Sequence, residues 1–309
     1  MLKPIAVSLS VLALLAGCQS KNDVQAPDIP FAALEDTALK DPDNPRKVFR
    51  VDFARVEHEQ PLMPADLAKI TPENLKALSQ EQVDQIYGRL TAGPIPDGQY
   101  VGDLFFRKGD TLSSRLEEIV GGFKGRLVGV KIKKLELLGG ALWKGKRFYR
   151  DERTLRNFIK DLAVLTPLLG DDTSGIMTAE IQRTSILRYV LPNDEVWLLF
   201  PAKLYCGQSL LDGRRESIII DYAYNDELPG YREQPDSLAG RNGLKVRDEI
   251  RMVRPGFYLG RAYINRMFLL NFTLYNEQVA TAGTDAFMAG GPVAEDCWTG
   301  EQRRRVAAN

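Results

Sequence analysis

The chain has 309 residues, of which 44% are hydrophobic and 27% are charged, and this ordinary globular composition excludes a wholly disordered protein. Lysine plus arginine equals aspartate plus glutamate, at 41 each, so the strongly basic balance that indicates nucleic acid as a general partner is absent. After the first apolar run, no other approaches the length of about 20 residues that crosses a bilayer.

The first residues have the order of an export signal. A lysine precedes an apolar run from Ile5 to Ala16, and this run is too short to span a membrane. The run leads into Leu15-Ala16-Gly17-Cys18, which resembles the lipobox of bacterial lipoproteins. That resemblance implies a signal peptide over residues 1–17 and an acylated Cys18 as the mature N-terminus.

The same resemblance implies a location. Aspartate at the second mature position commonly retains these lipoproteins in the inner membrane, whereas this chain has Gln19. We therefore expect a Gram-negative outer-membrane protein, anchored by lipid on the periplasmic side. Residues 18–46 contain four prolines among small and charged residues, and this composition predicts an extended lipidated tether.

Residues 47–139 are predicted to form a mainly helical N-terminal part. Alternating apolar and polar residues predict a first strand over 48–56. Thr71 before a proline indicates a helix start, and Ser79 with Gln82 has the pattern of a capping box. A run of glycine and proline over 93–98 predicts a turn.

A long helix is predicted to begin after Thr111 or Ser113, because apolar residues recur every three or four positions up to Val130. Three glycines at four-residue spacing on it indicate close backbone packing. The region is strongly basic and can rest on anionic lipid headgroups, although a solvated face is the alternative. The lysines expected to contact anionic lipid are Lys131, Lys133 and Lys134.

Residues 140–290 are predicted to be β-rich, and 291–309 to form a C-terminal tail. Strand-forming runs are separated by clusters of Asp, Asn, Gly and Pro. The predicted strands cover 142–149, 154–159, 176–183, 196–206, 216–224, 245–253, 256–264 and 267–275. A last helix is predicted over 276–288. We therefore expect an α+β fold, with N-terminal helices and a curved, mostly antiparallel β-sheet or partial barrel.

A unit of aromatic, glycine and aromatic residues at offsets 0, 2 and 5 recurs along the chain. The copies are Tyr100–Phe105, Trp143–Phe148 and Tyr258–Tyr263, with Tyr205-Cys206-Gly207 as a partial fourth. Two copies also have a glycine two residues earlier, and this G-x-Y-x-G pattern is similar to the G-x-W-x-G signature of small bacterial proteins of uncharacterised function.

In a strand, the first aromatic residue and the glycine of each unit lie on the same face. A ring from a neighbouring strand can cover the bare glycine and let the sheet curl. A sheet curved in this way encloses either packed side chains or one small apolar ligand. The residues that are candidates to line such a cavity are Tyr100, Gly102, Trp143, Gly145, Tyr205, Gly207, Tyr258 and Gly260.

Two cysteines, Cys206 and Cys297, remain once Cys18 carries lipid. An oxidising compartment allows them to form one disulfide. Two buried free thiols are the alternative, and the export signal favours the disulfide.

Residues suited to catalysis are few. His58 is the single histidine and lies between two glutamates, where we expect a surface position. Histidine-based hydrolases and metal enzymes are therefore disfavoured, and no metal site or cofactor is predicted. The remaining acid–base candidates are Asp221, Asp248 and Arg251. Asp221 is expected to pair with Arg251 inside the sheet, as a catalytic group or as a structural salt bridge.

The sequence thus favours a non-catalytic protein that binds a small apolar or lipid-like ligand in the curved sheet. The alternative is a factor that holds or assembles other envelope proteins, which the basic helix and the aromatic-rich strands indicate. An enzyme that acts through Asp221 and a tyrosine is a third possibility.

Overall fold

The structure of the protein is a computed structural model that describes residues 24–33, 38–39, 50–106, 110–111, 114–115, 143–160, 174–181 and 194–300. Several predictions concern residues outside these ranges. They are the signal peptide predicted over 1–17, the predicted lipidation site Cys18, the three lysines expected to contact lipid and all but a few residues of the predicted long helix.

Short elements come first in the chain. The strands β1 (Ala38–Leu39) and β2 (Arg50–Val51) pair with each other, and three helices follow them. These are α1 (Phe53–Glu59), α2 (Pro64–Lys69) and α3 (Gln80–Arg89), with a 3-10 turn at Asn74–Ala77 before α3.

The strand predicted over 48–56 is wrong for most of its length. Only Arg50–Val51 is extended among its described residues, and helix α1 begins at Phe53. The side chain of Asp52 caps that helix, because it accepts hydrogen bonds from the backbone N–H groups of the second and third helical residues. Phe53 and Val56 are buried on one helical face. Their three-residue spacing fits a helix, but the neighbouring apolar and polar residues alternate as in a strand.

The capping box before α3 is confirmed. The Ser79 hydroxyl accepts from the Gln82 backbone N–H at 3.3 Å, and the Gln82 side chain accepts from the Ser79 N–H at 3.0 Å. Thr71 also caps the chain, by accepting from the Asn74 N–H at 3.2 Å, but the element that follows is the 3-10 turn rather than an α-helix.

Most of the remaining described chain is β-structure. The strands are β3 (Gly98–Phe105), β4 (Trp143–Tyr149), β5 (Thr154–Ile159), β6 (Thr178–Ile181), β7 (Asp194–Gln208), β8 (Glu216–Asp221), β9 (Val246–Arg254), β10 (Phe257–Ile264) and β11 (Met267–Tyr275). A 3-10 turn at Asn225–Glu227 and helix α4 (Glu233–Asp236) connect β8 to β9, and α5 (Glu277–Met288) follows β11.

Eight of these strands close an antiparallel barrel. The pairing order is β5-β4-β3-β11-β10-β9-β8-β7, and β7 pairs back with β5. Strand β6 adds to β7 outside this ring. An α+β fold with a curved sheet or partial barrel was predicted, whereas the described structure is mostly β and the barrel is closed.

The strand predictions for the C-terminal part hold well. All eight predicted strands are present, with ends that differ by three residues at most, and the last helix begins one residue later than expected. Strand β3 corrects the expected division of the chain. It falls in the part predicted to be helical, but it pairs with both β4 and β11 and so belongs to the barrel.

Alternate residues of the barrel strands face two separate cores. On β10, Tyr258 and Ala262 belong to the core inside the barrel, whereas Phe257 and Leu259 face outward. The outward residues pack with Ile86 and other apolar residues of the helical part. Both faces of β10 are buried, and its sequence is accordingly a nearly continuous run of apolar residues.

Residues 24–33, which were expected to belong to an extended tether, lie against α3. Ala32 and Gln85 exchange two hydrogen bonds, at 3.0 and 2.8 Å, and Arg89 donates to the Pro30 carbonyl at 2.9 Å. Ile29 is buried among the apolar residues of the outer core. This part of the segment is held by the folded body, because its backbone polar groups and an apolar side chain both have partners there.

The described tail residues, 291–300, return to the barrel. Cys297 forms the predicted disulfide with Cys206, across a Cα–Cα distance of 5.4 Å. Asp296 accepts from the Ile95 backbone N–H at 2.7 Å, and Glu295 accepts from that of Gly93 at 2.8 Å. The tail is thus fixed to the chain just before β3. No helix within the described ranges combines the length and the apolar character needed to cross a membrane.

Candidate functional site

A cavity of about 190 Å³ lies inside the barrel. Its wall is mostly apolar and includes Ile264, Leu269, Leu270 and Phe272 near the β10–β11 connection. The polar groups that reach it are the side chains of Lys146, Asn157, Tyr222 and Asp248. We refer to these four residues as the lumen network.

Lys146 is the centre of the lumen network. It lies on β4 with its side chain turned into the barrel, and it is only 2% exposed. Its ammonium group donates to Asn157 Oδ1 at 2.8 Å, to the Tyr222 hydroxyl at 2.7 Å and to Asp248 Oδ2 at 2.9 Å. A lysine has three N–H donors, and all three have a partner.

Asn157 and Tyr222 complete the network. Asn157 Oδ1 also accepts from the Trp143 indole N–H at 2.9 Å, and its Nδ2 donates to the Phe200 carbonyl at 2.9 Å and to the Tyr222 oxygen at 3.0 Å. The Tyr222 hydroxyl lies 3.3 Å from Asn157 Oδ1 and 3.4 Å from Asp248 Oδ2. The N–H and O–H groups of the network are therefore directed at other protein groups.

The electrostatics keep the lysine charged. Burial alone lowers the pKa of Lys146, but the neighbouring Asp248 carboxylate and the Tyr222 contact outweigh burial, so the pKa is raised above its ordinary value. Burial also raises the pKa of Tyr222 to about 12, so this residue remains a neutral phenol. A protonated, paired lysine is a poor nucleophile, and the network holds a cation and an anion side by side.

Aromatic rings surround the ammonium group. Lys146 Nζ lies 5.3 Å from the Trp143 ring centroid and 5.4 Å from those of Tyr222 and Phe272. These distances allow cation–π attraction, which strengthens when the site is shielded from water. The rings thus contribute both to the apolar wall and to the stability of the buried charge.

The aromatic–glycine units lie in barrel strands, and two rings cover glycines as expected. A Cβ atom on Gly102 would lie 2.1 Å from the Trp143 ring, and one on Gly260 would lie 2.2 Å from the Phe272 ring. Gly145 has a φ of +135° at a β-bulge. Both rings lie on neighbouring strands and line the cavity.

The other residues that were predicted to line the cavity are not part of its wall. Tyr100 and Tyr258 pack against each other in the inner core, with ring centroids 5.7 Å apart. Tyr205 is 39% exposed, and its hydroxyl donates to Asp221 Oδ2 at 2.7 Å. Gly207 faces Ile219. Of the eight candidates for the cavity, Trp143 is the one that lines it among the described residues.

The acid–base candidates are separated by the sheet. Asp221 is opposite Arg247 in the β8–β9 register, so the expected pair with Arg251 is wrong. Arg251 lies on the outer face, where it donates to the Ser217 hydroxyl at 2.9 Å and to Asp212 Oδ2 at 3.3 Å. Asp248 is the candidate that reaches the cavity.

His58 is exposed on α1, as expected. Lys146 was not among the residues predicted to line a cavity. A signal for its inward position exists, because Lys146 and the buried Phe148 are two residues apart and hence share a face of β4.

Comparisons with known proteins provide no functional assignment. No family model matches the chain, and no curated protein matches it. Among solved structures, it is similar to a protein from Thermomonospora curvata known from a crystal structure, with 17% sequence identity and a TM-score of 0.33. The similarity covers 65% of this chain and 88% of that chain. A TM-score of this size carries no argument about function.

Proposed function

We propose that this protein is a lipid-anchored envelope protein that binds one small, mainly apolar molecule in the barrel cavity. The observation that carries the proposal is the cavity of about 190 Å³, with its apolar wall and one polar end. Ligand sites generally combine a mainly apolar surface with a few polar groups that orient the ligand.

The size of the cavity limits the ligand. An apolar protein cavity of roughly 150 Å³ accommodates benzene, whereas sites for drug-sized ligands measure about 300–1,000 Å³. A cavity of about 190 Å³ therefore suits a single small ring or a short hydrocarbon chain. The cavity volume therefore restricts the lipid-like ligand that was predicted from the sequence to a molecule of about this size.

The lumen network favours binding over catalysis. Lys146 is a protonated cation with all of its donors occupied, and Tyr222 remains protonated. A group that takes up a proton or attacks a substrate must instead be free and near its working pKa. The network is suited to recognise a ligand without changing it.

The proposed anchor has a geometric consequence. Lys69 of α2 donates to the Asp28 carbonyl at 2.8 Å, and ten residue steps separate Asp28 from Cys18. An extended chain advances at most 3.6 Å per residue, so these steps span at most about 36 Å. An acylated Cys18 would therefore hold the barrel close to the membrane surface.

Titration calorimetry with p-xylene tests the binding proposal. The wild-type protein is expected to bind it, and an Ala262→Leu variant is expected to lose binding because the larger side chain fills the cavity that Ala262 lines. Asp221→Asn, on the outer side of the barrel, is the matched control and should bind like wild type. Absence of binding, or equal binding by the filled variant, would contradict the proposal.

Acyl labelling that disappears in Cys18→Ser tests the anchor separately.

A further inference from the structure

The two oxygens of Asp248 have different surroundings. Oδ2 receives the Lys146 ammonium at 2.9 Å and lies 3.4 Å from the Tyr222 hydroxyl. Oδ1 accepts no hydrogen bond from any residue in the described part of the chain. Asp248 is only 5% exposed and lines the cavity. A carboxylate oxygen in such a position normally has a partner.

The rest of the lumen network has no donor to offer a ligand. The three donors of Lys146 and the two of Asn157 are directed at protein acceptors. The Tyr222 hydroxyl has acceptors in Asn157 Oδ1 at 3.3 Å and Asp248 Oδ2 at 3.4 Å, and the neighbouring Trp143 indole N–H donates to Asn157 Oδ1. The network therefore leaves one carboxylate oxygen, Asp248 Oδ1, without a donor among the described residues. A molecule that binds beside the network can form a hydrogen bond with this oxygen only if it brings a donor.

We infer that the ligand is an uncharged small amphiphile whose hydroxyl or N–H group donates to Asp248 Oδ1 while its apolar part lies against Leu269 and Leu270. This inference rests on the proposed function and specifies the ligand class of the same cavity. An alcohol, a phenol or an amide N–H compound meets the requirement.

Charged ligands do not fit the same site. A carboxylate would lie beside the Asp248 carboxylate and would find the Lys146 donors already occupied. A ligand ammonium group would lie close to the Lys146 ammonium, which is 2.9 Å from the Asp248 carboxylate. In a cavity of low polarity, each of these like-charge contacts is costly. A neutral donor avoids both.

The acceptor is held in a fixed position. Lys146 fixes Asp248, and Asn157 fixes Lys146 in turn through its own bonds to Trp143 and the Phe200 carbonyl. The Trp143 ring is itself seated on Gly102, where a Cβ would clash. A ligand donor therefore meets an oriented oxygen with little reordering, which favours binding.

A panel of ring compounds of matched size tests the inference on the wild-type protein by titration calorimetry. The probes are p-cresol, which has a donor, p-xylene and methoxybenzene, which have none, and the anion benzoate. We expect p-cresol to bind roughly tenfold or more tightly than p-xylene, since its hydroxyl gains a hydrogen bond to a charged acceptor. Benzoate should show no binding. Equal or weaker binding of p-cresol, or binding of benzoate, would overturn the inference.

A paired variant separates this inference from the proposed function. Lys146→Met with Asp248→Leu removes both charges and keeps Asn157 and Tyr222, so p-xylene should still bind and the preference for p-cresol should fall. Asp221→Asn is the control and should keep the preference. If no probe binds wild type, the proposed function fails. If p-xylene binds and p-cresol binds no more tightly, only the inference that the ligand donates a hydrogen bond to Asp248 fails. The wild-type panel decides the question even if the paired variant does not fold.

Discussion

Removal of Lys146 alone is expected to destabilise the protein far more than its removal together with Asp248. The two side chains are 2.9 Å apart, and the residues are 2% and 5% exposed. Lys146→Met leaves the Asp248 carboxylate in an apolar cavity without its counter-charge. Breaking a buried ion pair in this way costs about 3–5 kcal/mol, whereas replacing both members with apolar residues is often neutral or stabilising.

Urea unfolding of four proteins measures this effect: wild type, Lys146→Met, Asp248→Leu and the double variant, with free energies from linear extrapolation. Each single variant should lose about 3–5 kcal/mol and the double variant about 1 kcal/mol or less. Additive losses in the double variant, or a single loss below about 1 kcal/mol, would refute the reasoning.

Three further predictions concern stability. Gly102→Ala should cost about 1–3 kcal/mol in urea unfolding, because its Cβ would lie 2.1 Å from an indole ring atom, whereas Gly213→Ala, with open space within 4 Å, should change little. Serine at both Cys206 and Cys297 should cost roughly 4 kcal/mol in the chain-entropy model, since the bridge spans 91 residues; a melting temperature equal to wild type would contradict this. Burial opposes ionisation of Asp212, but two arginines outweigh it and lower its pKa, so its contribution should be full above about pH 4 and lost as the pH falls further. Asp212→Asn should flatten the dependence of the urea midpoint on pH in that acid range, and an unchanged slope would count against this assignment.

The β-rich part of the fold was accessible from the sequence because its signals are local. Turn residues separate the strands, and each strand carries enough β-branched and aromatic residues to be recognised. The covering of Gly102 and Gly260 by rings was also predictable, since a bare glycine beside an aromatic residue on a neighbouring strand needs such a cover. Closure of the barrel was not, because the pairing of β5 with β7 depends on contacts between distant residues.

The lumen network escaped prediction for a specific geometric reason. Trp143 and Lys146 are three residues apart, and strict alternation places them on opposite faces of a strand. The β-bulge between Trp143 and Gly145 adds one residue to β4, so Trp143 pairs with Ile159 and Lys146 with Asn157, which share a face. A bulge of this kind depends on the partner strand. Within β4 itself, the hints are Gly145 and the two-residue spacing of Lys146 and Phe148.

Among the described residues, strand β9 takes part in three ion pairs, and two of them, on opposite faces of the strand, have both side chains buried. The difference between these two supports the proposal that the cavity is a binding site. On the outer face, Asp212 accepts hydrogen bonds on both of its oxygens, from Arg214 and Arg251, and the Arg251 guanidinium also binds backbone carbonyls. Inside the barrel, Asp248 uses one oxygen for Lys146. Both carboxylates are buried, so the same cost of desolvation applies to each. The outer pair is saturated and joins the helices to the barrel, whereas the inner pair retains an acceptor that faces an apolar cavity, which is the arrangement that a ligand with a donor group completes.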